Sequence, residues 1–368
     1  MTQLKIDHDT IREKTIEGRY MRVEDIQRVF KAHGAIHLET LGYSVLGRPI
    51  EIIRLGQGRL KILMWSQMHG NESTTTKAVL DCIHYLNEPT PESKFILENC
   101  SICIIPILNP DGAAAYTRIN ANGIDLNRDA QNLREPESRI LRKVLDDFKP
   151  DYCFNLHDQR TLFSVGKTSK PATLSFLAPA HDKNRSISRT RGVSMQLIVA
   201  MNQLIQRIIP GQVGRYDDAF NANCVGDTFQ MLGIPTILFE AGHFPNDYQR
   251  EKTRIYMFQA ILQAIWTIAN NAISDYDRDD YFLIPENGKQ FFDILIKDAH
   301  LIGKKYDKGV SVGISYEEKL ESDTISFIPK VKEIGALNDF YGHKEYNCTN
   351  RSDLRTILEM PLLMQLLQ

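Results

Sequence analysis

Residues 60–74 read LKILMWSQMHGNEST. The first six, LKILMW, are nearly all apolar, as a central strand buried on both faces should be. That run ends in a polar corner, Met68-His69-Gly70-Asn71-Glu72. Across residues 72–87, Val79, Leu80, Ile83 and Leu86 then fall on one helical stripe. A buried strand that passes directly into an amphipathic helix is the building unit of a parallel sheet with crossover helices. At this corner a histidine and a glutamate stand three residues apart.

The same pattern recurs along the chain. CSICIIPIL (100–108) runs into Asn109-Pro110-Asp111-Gly112, and DYCFNLHD (151–158) ends at His157-Asp158. LSFLAP (174–179) is a fourth strand, and PTILFEAG (235–242) is a fifth that ends near Glu240. Helical runs lie between them. ESRILRKVLDDF (137–148) follows a first-turn Pro136, and SMQLIVAMNQLIQRII (194–209) and YQREKTRIYMFQAILQAIWTIANN (248–271) are longer. Upstream, residues 18–33 have helical spacing and Gly34 stops them. IHLETLGYSV (36–45) and RPIEIIRLG (48–56) alternate around Gly42 and Gly47 as a hairpin would. The expectation is an α/β fold with a mixed, largely parallel sheet flanked by helices. Ligands in such folds gather outside the carboxyl ends of the strands. His69, Asp111, His157 and Glu240 all lie at such ends.

The texture changes after about residue 275. DYDRDDY (275–281) is an acidic, turn-rich joint, and FFDILIK, GVSVGISY and DTISFIP are short β-like pieces. With 368 residues the chain is long enough for two domains. The expected division is a catalytic domain over 1–275 and a small β-rich domain over 279–368. A helix is expected there only in the last dozen residues. A net charge of −2 gives no general pull toward nucleic acid. No stretch approaches the length of a membrane span, and MTQLKIDHDTIREK has no apolar signal core. The expected location is therefore the cytoplasm. Cys100 and Cys103 form a CxxC inside a strand-like run with no second CxxC, so they read as buried thiols.

Catalytic zinc takes three ligands from histidine and carboxylate and keeps a fourth position open. His69 and Glu72 could supply two from one turn, and His157 a third from another strand end. The pair alone is weak, because chance HxxE pairs are common among 10 histidines and 46 acidic residues. The order of HGNE (69–72), NPDG (109–112), RINANGIDLNRD (118–129), NLHD (155–158) and FEAG (239–242) is much more specific. Over residues 18–270 it resembles the M14-type zinc metallocarboxypeptidases. The resemblance implies one zinc ion held by His69, Glu72 and His157. It implies Glu240 as the glutamate that deprotonates water and passes the proton to the leaving amine, and Arg118 as the oxyanion arginine. Asn127 and Arg128 match the pair that grips a terminal carboxylate, and Asp125 matches the aspartate that orients His69. Tyr216 is the candidate for the mobile tyrosine that closes on substrate.

The implied reaction is hydrolysis of a C-terminal peptide or amide bond next to a free carboxylate. An N-acyl-amino-acid deacylase of the aspartoacylase or desuccinylase type is the alternative, with an N-acyl amino acid as substrate. A non-catalytic binding protein on the same fold is a third reading. Asp129 stands where many family members carry asparagine; it either pairs with Arg128 or points away. Asp158 either supports the site or is solvated. The pocket floor is expected within Asn221–Asp227.

Overall fold

The computed structural model describes residues 6–33 and 36–367. The expected helix stop at Gly34 and the first five residues of MTQLKIDHDTIREK lie outside them. In chain order the strands are β1 (Glu39–Tyr43), β2 (Pro49–Leu55), β3 (Leu60–Trp65), β4 (Cys100–Ile105), β5 (Tyr152–Asp158), β6 (Ser164–Val165) and β7 (Leu174–Leu177). They continue with β8 (Val213–Arg215), β9 (Thr236–Ala241), β10 (Asn287–Gly288), β11 (Phe291–Lys297), β12 (Ser311–Glu321), β13 (Thr324–Gly335) and β14 (Tyr341–Asn347).

Among the described residues the main sheet has the order β1-β2-β4-β3-β5-β9-β7-β8. Its centre, β4-β3-β5-β9, is parallel. β2 joins β4 antiparallel and β7 joins β9 antiparallel, so the sheet is mixed and largely parallel at its core. LKILMW forms β3, flanked on both sides by parallel neighbours, and Ile62 to Trp65 are fully buried. One face is covered by helices Thr74–Asn87, Arg189–Ile205 and Glu251–Ala269. The other is covered by Pro136–Phe148 and Val225–Met231, with Trp65 against Phe229.

Several elements depart from the sequence reading. The helix expected over 18–33 is Val23–His33. The one expected over 72–87 begins at Thr74, so Glu72 stays outside it in a turn. The NPDG corner starts a short helix instead of a loop: Asn109 accepts Gly112 N at 2.8 Å and Pro110 takes the first turn. Thr90 and Ser93 form a capping box that starts Pro91–Asn99, where no helix was expected. Cys100 and Cys103 are buried thiols, as expected, and burial raises both.

The β-rich segment holds a second sheet, β13-β12-β11-β14. Its strands are longer than the sequence fragments suggested, because β12 and β13 form one hairpin of 11 and 12 residues. Two short helices, Arg351–Leu358 and Pro361–Leu367, close a separate apolar core that includes Ile296, Val312, Ile357 and Leu367. The acidic joint carries Tyr281, which is wholly buried in the main core and accepts Ala178 N at 3.2 Å. No helix of the described residues is long and apolar enough to cross a membrane.

The N-terminal segment is strapped to the two long helices by charge. Asp81 accepts Arg254 Nε and Nη2 at 2.7 and 2.6 Å, His8 Nε2 lies at 2.8 Å, and Glu13 N donates at 2.9 Å. Both Asp81 and Arg254 are fully buried. Burial opposes the Asp81 charge, yet His8 and Arg254 hold its carboxyl below the usual value. Its stabilising contribution is therefore present above about pH 4 and is lost as pH falls below that. Asp81→Ala strands a buried guanidinium and should cost about 3–5 kcal/mol in urea unfolding. A loss below about 1 kcal/mol would contradict this account.

Candidate active site

The corner after β3 is built to a tight tolerance. Gln67 adopts a left-handed φ of 42°, and its side-chain amide donates to Met21 O at 3.1 Å and Gly70 O at 2.8 Å. A Cβ on Gly70 would lie 1.9 Å from the Gly112 carbonyl carbon, so only glycine fits between the HGNE turn and the NPDG helix. Glu72 N donates to His69 O at 3.1 Å, which closes the turn and aims both side chains at one point.

Three donors meet there. His69 Nδ1 lies 2.9 Å from Glu72 Oε1 and 3.0 Å from His157 Nδ1, and His157 Nδ1 lies 2.9 Å from Glu72 Oε2. All three residues are buried, and the donor atoms lie within 4.8 Å of one another. Behind them, His69 Nε2 reaches Asp125 Oδ1 at 3.0 Å. A neutral His69 donating to Asp125 turns the lone pair of Nδ1 toward an anionic carboxylate and a second ring nitrogen. That arrangement is repulsive unless a positive charge sits among the three atoms. The electrostatics carry the same demand. Burial lowers His69, but Glu72 and Asp125 raise it above its ordinary value. Burial alone would raise Glu72, but the two histidines hold it far below the carboxylate range. His157 falls, chiefly by burial. Two imidazoles and one carboxylate are the donor set of a catalytic zinc, so these residues fit that ion.

Asp158 is not solvated. Its carboxylate accepts Thr74 N and Thr75 N at 2.9 and 3.2 Å and so caps the helix that follows Glu72, while its own N–H donates to Glu72 Oε2 at 3.1 Å. Glu240 is the Cα partner of His157 in the β5–β9 ladder. It is buried, its Oε2 has no hydrogen-bond partner among the described residues, and burial followed by Glu72 pushes its carboxyl well above the usual range. Arg118 is half-exposed and rests on Glu72 Oε1 at 3.3 Å and Asp125 Oδ2 at 3.1 Å.

Asn127 and Arg128 occupy a short turn capped by Asp125, which accepts Asn127 N at 2.9 Å. Asn127 Oδ1 is used by Val225 N at 3.0 Å, leaving its amide N–H groups for the cavity. Asp129 points away: it is buried and accepts Arg134 N and Glu135 N at 3.1 and 2.9 Å. Arg128 therefore keeps its charge for the cleft, with Cys224 Sγ at 3.0 Å and its neighbour's carbonyl at 2.8 Å as contacts.

All of these groups except Asp125 and Asp129 line one cavity of about 550 Å³, which Tyr216 also borders. The Tyr216 ring packs 5.4 Å from Phe163, and burial raises its phenol well above the ordinary value. Cys224, Gly226 and Asp227, from the stretch expected to form the floor, face this cavity, and burial pushes Asp227 up to about 6. Sequence reasoning missed Gln159, Arg160 and Lys289 on its walls. Lys289 is brought in by the β6–β10 pairing, which no local motif announces.

Residues 24–137 match the family model described as zinc carboxypeptidase. Carboxypeptidase SOL1 of Arabidopsis thaliana is 29% identical over 164 residues, covering 38% of this chain and 33% of that protein. The match thus spans about a third of that relative's length. Among solved structures, a metallo-carboxypeptidase from Burkholderia cenocepacia aligns with 68% of this chain and 70% of its own, at 18% identity and a TM-score of 0.55. Carboxypeptidase A from Helicoverpa armigera aligns with 69% and 74%, also at 18% identity and a TM-score of 0.55. At such identity the structures speak for the fold alone. The chain is thus similar in sequence to zinc carboxypeptidases over residues 24–137, and it shares the carboxypeptidase fold over about two thirds of its length.

Proposed function

We propose that the chain is a zinc-dependent carboxypeptidase that hydrolyses a peptide or amide bond next to a free carboxylate. The observation that carries this reading is the convergence of His69, Glu72 and His157 beside an unpartnered, buried Glu240. Zinc held by the three donors supplies a Lewis acid for the scissile carbonyl and for water. Glu240 takes the proton of the attacking water and returns it to the leaving amine. Its burial favours this work, since a carboxyl with a raised pKa is a competent acid as well as a base. Arg118 turns from Glu72 toward the oxyanion. Asp125 fixes the His69 ring by holding its Nε2 proton. Arg128 and the Asn127 amide grip the terminal carboxylate, where a guanidinium fork matches two oxygens. Tyr216 covers the bound peptide.

Three outcomes test this. Removing metal with a chelator should abolish cleavage of C-terminal peptides, and added zinc should restore it. Glu240→Gln should keep its zinc, measured by atomic absorption, and lose about 100- to 10,000-fold in kcat; a rate near that of the parent would sink the mechanism. Arg128→Ala should raise KM for free-carboxylate peptides by about tenfold to 100-fold, the worth of one charge-assisted contact. Amidated peptides should be poor substrates throughout. Cleavage confined to N-acetyl or N-succinyl amino acids would replace this reading with a deacylase.

A further inference from the structure

We propose that Glu318, from the β12–β13 hairpin, is a positioning residue for the hydrolytic site. Its carboxylate holds Arg19, whose backbone anchors the turn after Glu72, and Tyr116, two residues before Arg118. This rests on the function proposed above.

The hairpin reaches back from the second sheet to the main body. Glu318 Oε1 accepts Arg19 Nη1 at 2.9 Å, and its other oxygen accepts the Tyr116 hydroxyl. At the hairpin tip, Asp323 lies 3.4 Å from Arg22. Burial opposes the Glu318 charge, but Arg19 and Tyr116 keep its carboxyl below the ordinary value. The Arg19 side chain is only 4% exposed. Arg19 is buried while Glu318 is half-buried, so removing the carboxylate leaves a buried guanidinium to be compensated elsewhere.

Each partner leads to the site by a short path. The Arg19 carbonyl accepts Ser73 Oγ at 2.6 Å, and Ser73 follows Glu72. The Arg19 guanidinium also feels the charge of Asp158, which caps the helix beginning at Thr74. Without Glu318, the charge of Asp158 still acts on Arg19. Any shift toward it draws Asp158 from that cap, beside Glu72. On the other side, Tyr116 ends helix Pro110–Ala115 in a left-handed conformation, φ 54°, two residues before Arg118. Thr117 N returns to Gly112 O at 2.8 Å, so the turn is short and the phenol anchor is close to the arginine. Tyr20, edge-on to Tyr116 at 6.2 Å, ties the same turn through Ala114 O at 2.7 Å. Misplacing a catalytic group by about 1 Å can cost about 100-fold in rate.

The two branches separate experimentally in the full-length protein. Glu318→Gln disturbs both, so zinc affinity by chelator competition should weaken by about tenfold, and kcat at saturating zinc should fall about tenfold or more, with KM within about twofold. Tyr116→Phe removes one hydroxyl on the Arg118 branch alone. It should lower kcat and the affinity for a phosphinate peptide that mimics the transition state, and leave zinc affinity unchanged. The double variant should be no slower than Glu318→Gln. A merely structural pair predicts something different: a lower melting temperature, with kcat and zinc affinity each within twofold of the parent. That result overturns the proposal. If the parent protein binds zinc and cleaves no peptide, the function proposed above fails, and the zinc measurements on Glu318→Gln still decide the positioning role.

Discussion

Two ring nitrogens and a carboxylate are packed within 4.8 Å of one another in a buried site. The surrounding structure is organised to keep them there. Asp125 takes the outer nitrogen of His69, and the Asp158 N–H holds one oxygen of Glu72. The Asp158 carboxylate caps the next helix, and Gly70 gives the turn its close approach to the Gly112 backbone. Each of these contacts holds the three donors together at a desolvation cost that a shared positive charge offsets. The cost is accepted because burial strengthens every electrostatic interaction made with such a charge.

The same low-dielectric setting separates the roles of two neighbouring glutamates. Glu72 faces two imidazoles and stays ionised, while Glu240 faces carboxylates and has an oxygen without a partner. They differ in neighbours and not in chemistry. The parallel β5–β9 register sets that difference, since it puts Glu240 level with His157. Arg118 pairs with Glu72 at 3.3 Å, and its charge also offsets that of Glu240.

The second sheet is not a detached appendage. The β6–β10 ribbon that leads into it places Lys289 on the cavity wall, and through β12 it delivers Glu318 to Arg19 and Tyr116. A cluster of two histidines and aromatic rings, with His243 and Phe291 buried and His343 and Tyr248 half-buried, packs between the two sheets. Burial and mutual repulsion keep His243 neutral there. Packing of this kind makes the position of the hairpin a property of the whole chain.

The sequence by itself determined the strand-then-helix order and put His69, Glu72 and His157 at strand ends, where the fold brings them together. Those features follow from local periodicity and from turns with fixed spacing, which a linear text records. It left Asp129 and Asp158 undecided, because adjacent residues at a turn can point in opposite directions, and only the surrounding N–H groups show which. Asp129 went to Arg134 and Glu135, and Asp158 went to a helix end. It carried no sign of Lys289 or Glu318. The β6–β10 pairing that brings in Lys289 and the Glu318–Tyr116 contact each join residues more than 100 apart, and such contacts arise only in the folded chain. The tertiary structure therefore decided the direction of each charged side chain, because direction depends on what packs against it.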